Sequence, residues 1–282
     1  MTAITDLSAL VNRMTGGNSG TPDNRWFHKI GRYNGVAVAG VPITGRPYSL
    51  WSYDGQPGAG AVPTTWVNPT RATAGAFAQT NPGGGRQKWL TQFMVNGAVA
   101  CTVLLYDRLG HNGNLDATNI NAQTFTGSIT RYTNGIGNIM WYEIYGNTTT
   151  ILGATGTTMT VGYDSPEGTA FNSPPVVIGG TGFREGNQAR FVPLTSGHTG
   201  VIKVNNVDLL ASTLTAGTFG ITIAHPLAYA SVTLAGVTGW RDFVTGLPGL
   251  PEIVTDACLA LLIFPTATTA PELFGVASMV EN

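Results

Sequence analysis

Catalysis needs polar groups that converge and perturb one another, and this 282-residue chain offers few: 14 Lys and Arg, 15 Asp and Glu, and four His. His28, His111, His198 and His225 stand far apart, and no His-x-x-x-His or His-Glu-x-x-His pattern is present to hold zinc. Thr195-Ser196-Gly197-His198-Thr199-Gly200 sets hydroxyls beside an imidazole, as a nucleophile and its base require. It lacks the Gly-x-Ser-x-Gly order of a nucleophile elbow and reads as a polar turn. Asp107-Arg108-Leu109-Gly110-His111-Asn112-Gly113-Asn114-Leu115-Asp116 carries two carboxylates but not the EF-hand spacing, so a turn built on Asn and Gly is expected there. Gly83-Gly84-Gly85-Arg86-Gln87-Lys88 has no Gly-Lys-Ser/Thr ending to cradle phosphate. Glu143, Asp164 and Glu167 are the acids that a glycosidase would pair. Asp164-Ser165-Pro166-Glu167-Gly168 has the composition of a tight turn, however, and Glu143 alternates with Trp141 and Tyr145 on one strand face. The expectation is a protein that is not an enzyme, with no catalytic residue, no metal site and no cofactor.

Composition points the same way. Only 10% of the residues are charged, against roughly 25% in an average soluble domain, and the net charge is −1. A surface so poor in Lys and Glu loses little hydration when another surface covers it. The basic residues are scattered without a stripe, so no nucleic-acid partner is expected. The longest apolar run, residues 257–264, is too short to cross a bilayer and reads as a buried strand, so no membrane partner is expected. Met1-Thr2-Ala3-Ile4-Thr5-Asp6-Leu7 has neither the basic nor the apolar part of a secretory signal, which predicts synthesis in a cytoplasm and a silent Asn147-Thr148-Thr149 sequon. Cys101 and Cys258 each lie in an apolar run and are expected as buried thiols.

One helix is predicted. Thr5 can cap it, Leu7, Leu10, Val11 and Met14 share one face, and Gly16-Gly17 ends it. So short a helix needs a surface to dock on, either its own domain or a neighbouring subunit. Leu7, Leu10, Val11 and Met14, with the following Trp26 and Phe27, are therefore the candidate interface residues. From Arg25 the period becomes two and Gly, Pro, Asn and Asp punctuate the chain, the pattern of many strands joined by turns. Strands are expected around residues 93–95, 98–106, 139–145, 158–163, 201–204, 218–223, 231–234 and 257–264. The fold class that follows is all-β: a jelly-roll-like β-sandwich, with two β modules and a short N-terminal helical arm. Asn172-Ser173-Pro174-Pro175 and Gly179-Gly180-Thr181-Gly182 suggest a division into an arm at 1–24, a module at 25–175 and a second at 176–282.

The order of several motifs is familiar. Arg25-Trp26-Phe27-His28-Lys29 follows the helix; Asn114-Leu115-Asp116-Ala117-Thr118 and Thr130-Arg131-Tyr132-Thr133-Asn134-Gly135-Ile136-Gly137 come next, then Val161-Gly162-Tyr163-Asp164-Ser165-Pro166-Glu167-Gly168-Thr169. The C-terminal part adds Phe191-Val192-Pro193-Leu194-Thr195-Ser196-Gly197-His198-Thr199-Gly200-Val201, Pro226-Leu227, Arg241-Asp242-Phe243 and Leu247-Pro248-Gly249-Leu250-Pro251. In these the chain resembles virion structural proteins that tailed bacteriophages encode beside the major capsid gene. The resemblance implies a viral structural protein without catalytic residues. Neutral surface then favours the head: a decoration or cement protein on the capsid surface of the virion, bound to the major capsid protein and self-associated as a homotrimer or homodimer. The alternative is a host-glycan-binding tail or head-fibre protein, motivated by Trp51, Tyr53, Trp66 and Trp89.

Overall fold

The computed structural model describes residues 6–15, 22–33, 36–37, 42–125, 127–145, 152–215, 217–245, 249–268 and 272–281. These residues are almost entirely β, and the named strand pairs are antiparallel. The first sheet runs β17 (Gly239–Asp242), β6 (Lys88–Gly97), β19 (Leu273–Glu281), β1 (Asp23–Lys29), β5 (Gly55–Gln56). The central sheet runs β14 (Ala189–Phe191), β10 (Ile139–Ile144), β16 (Thr218–Val232), β7 (Cys101–His111), β18 (Leu259–Pro265), β4 (Tyr48–Ser49), with β8 (Leu115–Asp116) added to β16. The third runs β12 (Gly168–Asn172), β11 (Gly156–Ser165), β15 (Lys203–Leu209), β9 (Gln123–Thr124), with β13 (Val176–Gly179) also on β11. A small hairpin joins β2 (Arg32–Tyr33) to β3 (Val36–Ala37).

The two edges of the central sheet meet. Tyr48 bridges Gln188, Ser49 N donates to Asn187 O at 2.8 Å, and Ala189 N donates to Pro47 O at 2.9 Å. The sheet thereby curls into a barrel, whose inward row includes Tyr106, Trp141, Ala224, Ala260 and Leu262. Alternation along each strand sends the intervening residues outward. Leu105, Leu261 and Ile263 pack with Phe27, Phe93 and Val95 of the first sheet. Tyr142, Ile144 and Ile221 pack with Val161 and Val207 of the third. The all-β sandwich expected from sequence is thus present as two sheet-on-sheet cores around one shared, curled sheet.

Among the described residues, two long strands serve both cores. β16 contributes Phe219, Ile221 and Ile223 to one and Ala228, Ala230 and Val232 to the other, and β7 pairs along it. Pro226, which cannot donate to a ladder, sits where the β16–β7 register shifts, so the bulge accommodates it. The two cores are therefore nested in sequence, and the expected boundary at 175/176 falls inside the third sheet, where β13 pairs back on β11. A division by sequence halves fails because the closing partners of β6 and β7 come from the C-terminal strands β18 and β19.

The predicted helix is α1 (Leu7–Met14). Its cap is Asp6, whose side chain accepts from Ala9 N at 2.8 Å; Thr5, Gly16 and Gly17 lie outside the described residues, as does the Asn147 sequon. Leu10 and Arg13 are its buried residues and the helix packs on β19.

Candidate interaction face

The chemistry-bearing residues are mostly walled in. Arg108 and Glu143 meet inside the barrel as a two-pronged ion pair at 2.8 and 2.6 Å. Around it, Arg108 Nε donates to His111 Nδ1 at 3.0 Å, Thr222 Oγ1 accepts from Arg108 at 3.0 Å, and Trp141 Nε1 donates to Glu143 at 2.8 Å. The Trp51 ring covers the guanidinium at 4.6 Å. Burial pushes the Glu143 carboxyl up, and the Arg108 charge with its hydrogen bonds more than reverses this, holding it below its ordinary value. Residues 107–111 are thus the end of β7 and not the turn expected from their composition; the turn follows, with Asn114 at φ 62°. Asp107 pairs with Arg131 at 2.9 and 2.7 Å on the barrel's outer side. Lys88 pairs with Asp23 at 2.6 Å, and Lys29 Nζ donates to the carbonyls of Tyr53, Pro57 and Gly58 at 3.0, 2.7 and 3.3 Å.

Asp164 and Glu167 sit apart from Glu143 at the β11–β12 turn, where Asp164 accepts from Ala170 N at 2.9 Å and Glu167 from Thr199 Oγ1 at 2.7 Å. His198 Nδ1 meets Tyr163 Oη at 2.7 Å, and His225 stacks on Tyr132. Among the described residues no three His, Cys, Asp or Glu groups converge as metal ligands. Cys101 and Cys258 are buried free thiols. No helix among the described residues is long and apolar enough to cross a membrane. Trp51 and Tyr53, two of the aromatics proposed to stack on sugars, are core residues instead, enclosed by the chain between β4 and β6.

What the surface offers is the outer face of the first sheet. Along β1 the burial alternates, sending Asn24, Trp26 and His28 outward and Phe27 inward. In register across four strands lie Trp26 on β1, Val276 on β19, Met94 on β6 and Trp240 on β17. At strand spacing this row is about 14 Å long. Phe274 lies two residues from Val276, on the same face, opposite His28 and Asn96. Trp26, Trp240 and Phe274 are 70%, 61% and 52% exposed. Since large aromatics carry roughly 150–250 Å² each, these three alone leave on the order of 350 Å² of ring surface in water, the size of a typical monomer's largest apolar patch. Between them Met94, Asn96, Thr238 and Val276 help line a cavity of about 110 Å³. The rim is polar: His28 meets Glu272 at 3.0 Å, and Asn96 donates to Gly236 O at 2.9 Å.

Of the six residues expected at an interface, Trp26 is on this face, and Leu7, Val11 and Met14 are exposed on α1 nearby, which packs on β19. Leu10 is buried against the chain itself. Phe27 is core, 5.6 Å from Phe77 and 6.1 Å from Phe93, because strand alternation gives it the opposite face from Trp26. Trp240, Phe274, Met94 and Val276 escaped sequence reasoning. For Phe274 and Val276 the signal is the near-continuous apolar run Leu273-Phe274-Gly275-Val276-Ala277, a strand apolar on both faces; Trp240 and Met94 join through register.

Comparison with known proteins adds no identity. No family model and no curated protein matches the chain. Among solved structures, the infectious bursal disease virus Gx strain aligns over 93% of this chain and 79% of its own at 8% identity and a TM-score of 0.16. The VP2 subviral particle of the same virus aligns over 93% and 80% at 8% identity and a TM-score of 0.16. These viral capsid proteins are weak likenesses, and at that score they bear no weight.

Proposed function

We propose that this chain is a non-enzymatic structural subunit of a tailed-phage virion, a decoration or cement protein that binds across capsomers of the major capsid protein and associates with its own copies. The observation that carries the reading is the outer face of the first sheet: a row of exposed aromatics around a cavity, on a chain with few charged residues and a net charge of −1. Such an anchor, ringed by polar groups that exclude water, is the form a binding hot spot takes. Binding the assembled lattice and not the dispersed coat protein stabilises the shell by RT ln(1 + [L]/Kd). The resemblance of the ordered motifs to phage structural proteins supplies the virion setting.

Quantitative mass spectrometry of purified particles tests this. A fixed whole-number ratio of this chain to the coat protein is the expected result. Substoichiometric copies at a single vertex or along a tail would overturn the cement role in favour of a fibre, and absence from the particle would overturn the virion role altogether.

A further inference from the structure

A second site lies at the seam where the barrel closes. Arg46, just before β4, and Arg190, on β14, both stack on the ring of Phe183, with Cζ 3.8 and 4.2 Å from the ring centroid. Two guanidiniums cannot share one face at those distances, so the ring is sandwiched between two cations. Gly182, at φ +93°, makes the slot: a Cβ there would fall 2.4 Å from Arg46 Nη1. Every deeply buried arginine of the barrel has its carboxylate, Arg108 with Glu143 and Arg131 with Asp107. The seam pair does not. Among the described residues neither Arg46 nor Arg190 forms an ion pair, and Arg46 Nη1 is buried with no hydrogen-bond partner. Arg190 Nη1 donates to Val177 O at 3.4 Å and the guanidinium also meets the Tyr142 hydroxyl, neither of them a charged partner. Glu185, the acid of the same loop, is paired with Arg184 at 3.6 Å.

We infer that the Arg46–Phe183–Arg190 sandwich is a seat for the carboxylates of an acidic peptide segment supplied by a partner protein. A stacked guanidinium is held flat with its donor fork fixed, which suits the two oxygens of a carboxylate and spares the entropy cost of ordering a free arginine. All three residues are partly exposed, so a ligand from solvent meets the edge of the sandwich, with Arg46 Nη1 as its buried inner donor. Two unneutralised cations on one ring repel each other, and a bound anion relieves both. Protein carboxylate is favoured over nucleic-acid phosphate because the chain, at a net charge of −1, has no further basic stripe to follow a phosphate backbone. This site is separate from the face of the first sheet and does not depend on it.

The test is titration of the full chain with hexaglutamate at low salt, read by calorimetry, beside oligothymidylate of equal charge. Saturable peptide binding is expected, weakened about tenfold or more in Arg46→Gln and in Arg190→Gln and unchanged in Arg241→Gln. Arg190→Lys keeps the charge without the fork and is expected to fall between, which covers the case of a neutral variant that fails to fold. No peptide binding to the wild-type chain, or equal binding to all variants, overturns the site. Tighter, variant-sensitive binding of oligothymidylate overturns the choice of carboxylate.

Discussion

Arg108 keeps its charge inside the barrel because every donor it points inward finds an acceptor: Glu143, His111 and Thr222 among them. Desolvation makes such a pair worth little against an apolar isostere, yet breaking one half is costly. Glu143→Gln is therefore expected to lose about 3–5 kcal/mol in urea unfolding, whereas Arg108→Met with Glu143→Leu loses clearly less; equal losses would contradict this account. His111 sets the pH response. Burial first, then the Arg108 charge, hold its imidazole well below the ordinary value, so the native ring stays neutral. An unfolded histidine protonates below about pH 6.5. In that range the unfolded chain binds a proton that the native chain refuses, so stability present above that pH is lost as pH falls. His225, held down by burial against the opposing pull of Asp107, adds the same sign. In His111→Gln the amide oxygen still accepts from Arg108, and the loss of stability between about pH 7 and 5.5 should become shallower; an unchanged slope would assign it to other groups.

At the scale of elements, the strand with one buried face, Thr158 to Tyr163 in β11, read cleanly from sequence, and so did Thr218 to Ile223 in β16, although there both faces are buried because Thr222 turns into the barrel. β7 did not read to its end, because Asp107-Arg108 looks like a turn unless one knows that Arg131 and Glu143, 24 and 35 residues away, bring the counter-charges. That information is non-local, and so is the pairing that nests the two cores. The interaction face was legible only at Trp26, since Val276, Met94 and Trp240 join it through register alone. Close approach of elements gives a sharper prediction. A Cβ on Gly220 would lie 1.8 Å from Asn112 O, so β16 can cross there only without a side chain. Gly220→Ala is expected to cost about 3 kcal/mol or more, seen as a lower midpoint of thermal unfolding, while Gly84→Ala, where a Cβ meets nothing within 4 Å, leaves the midpoint near wild type.

For the whole molecule, part of the small stock of charge is turned inward: Asp23, Lys29, Lys88, Asp107, Arg108, Arg131 and Glu143 are all buried. The fold thus lowers the surface charge of an already charge-poor chain further, and leaves apolar groups exposed both beside the third sheet, at Leu210 and Leu214, and around the first. Trp26, Trp240 and Phe274 lie on the first sheet, Leu234 and Val237 in the turn leading into β17, and Leu7, Val11 and Met14 on α1. The proposed contact rests on apolar burial, with few ion pairs at the interface. Association through it is therefore expected to be nearly independent of salt between about 0.05 and 0.5 M, a range over which screening collapses surface electrostatics, and to weaken on cooling, as hydrophobic driving forces do. Sedimentation of the chain alone, and of the chain with coat-protein particles, reads both. Trp26→Asp or Trp240→Asp should abolish association without lowering the unfolding midpoint, since both side chains are more than half exposed. Association that falls steeply with added salt, or that survives both substitutions, would place the contact elsewhere on the molecule.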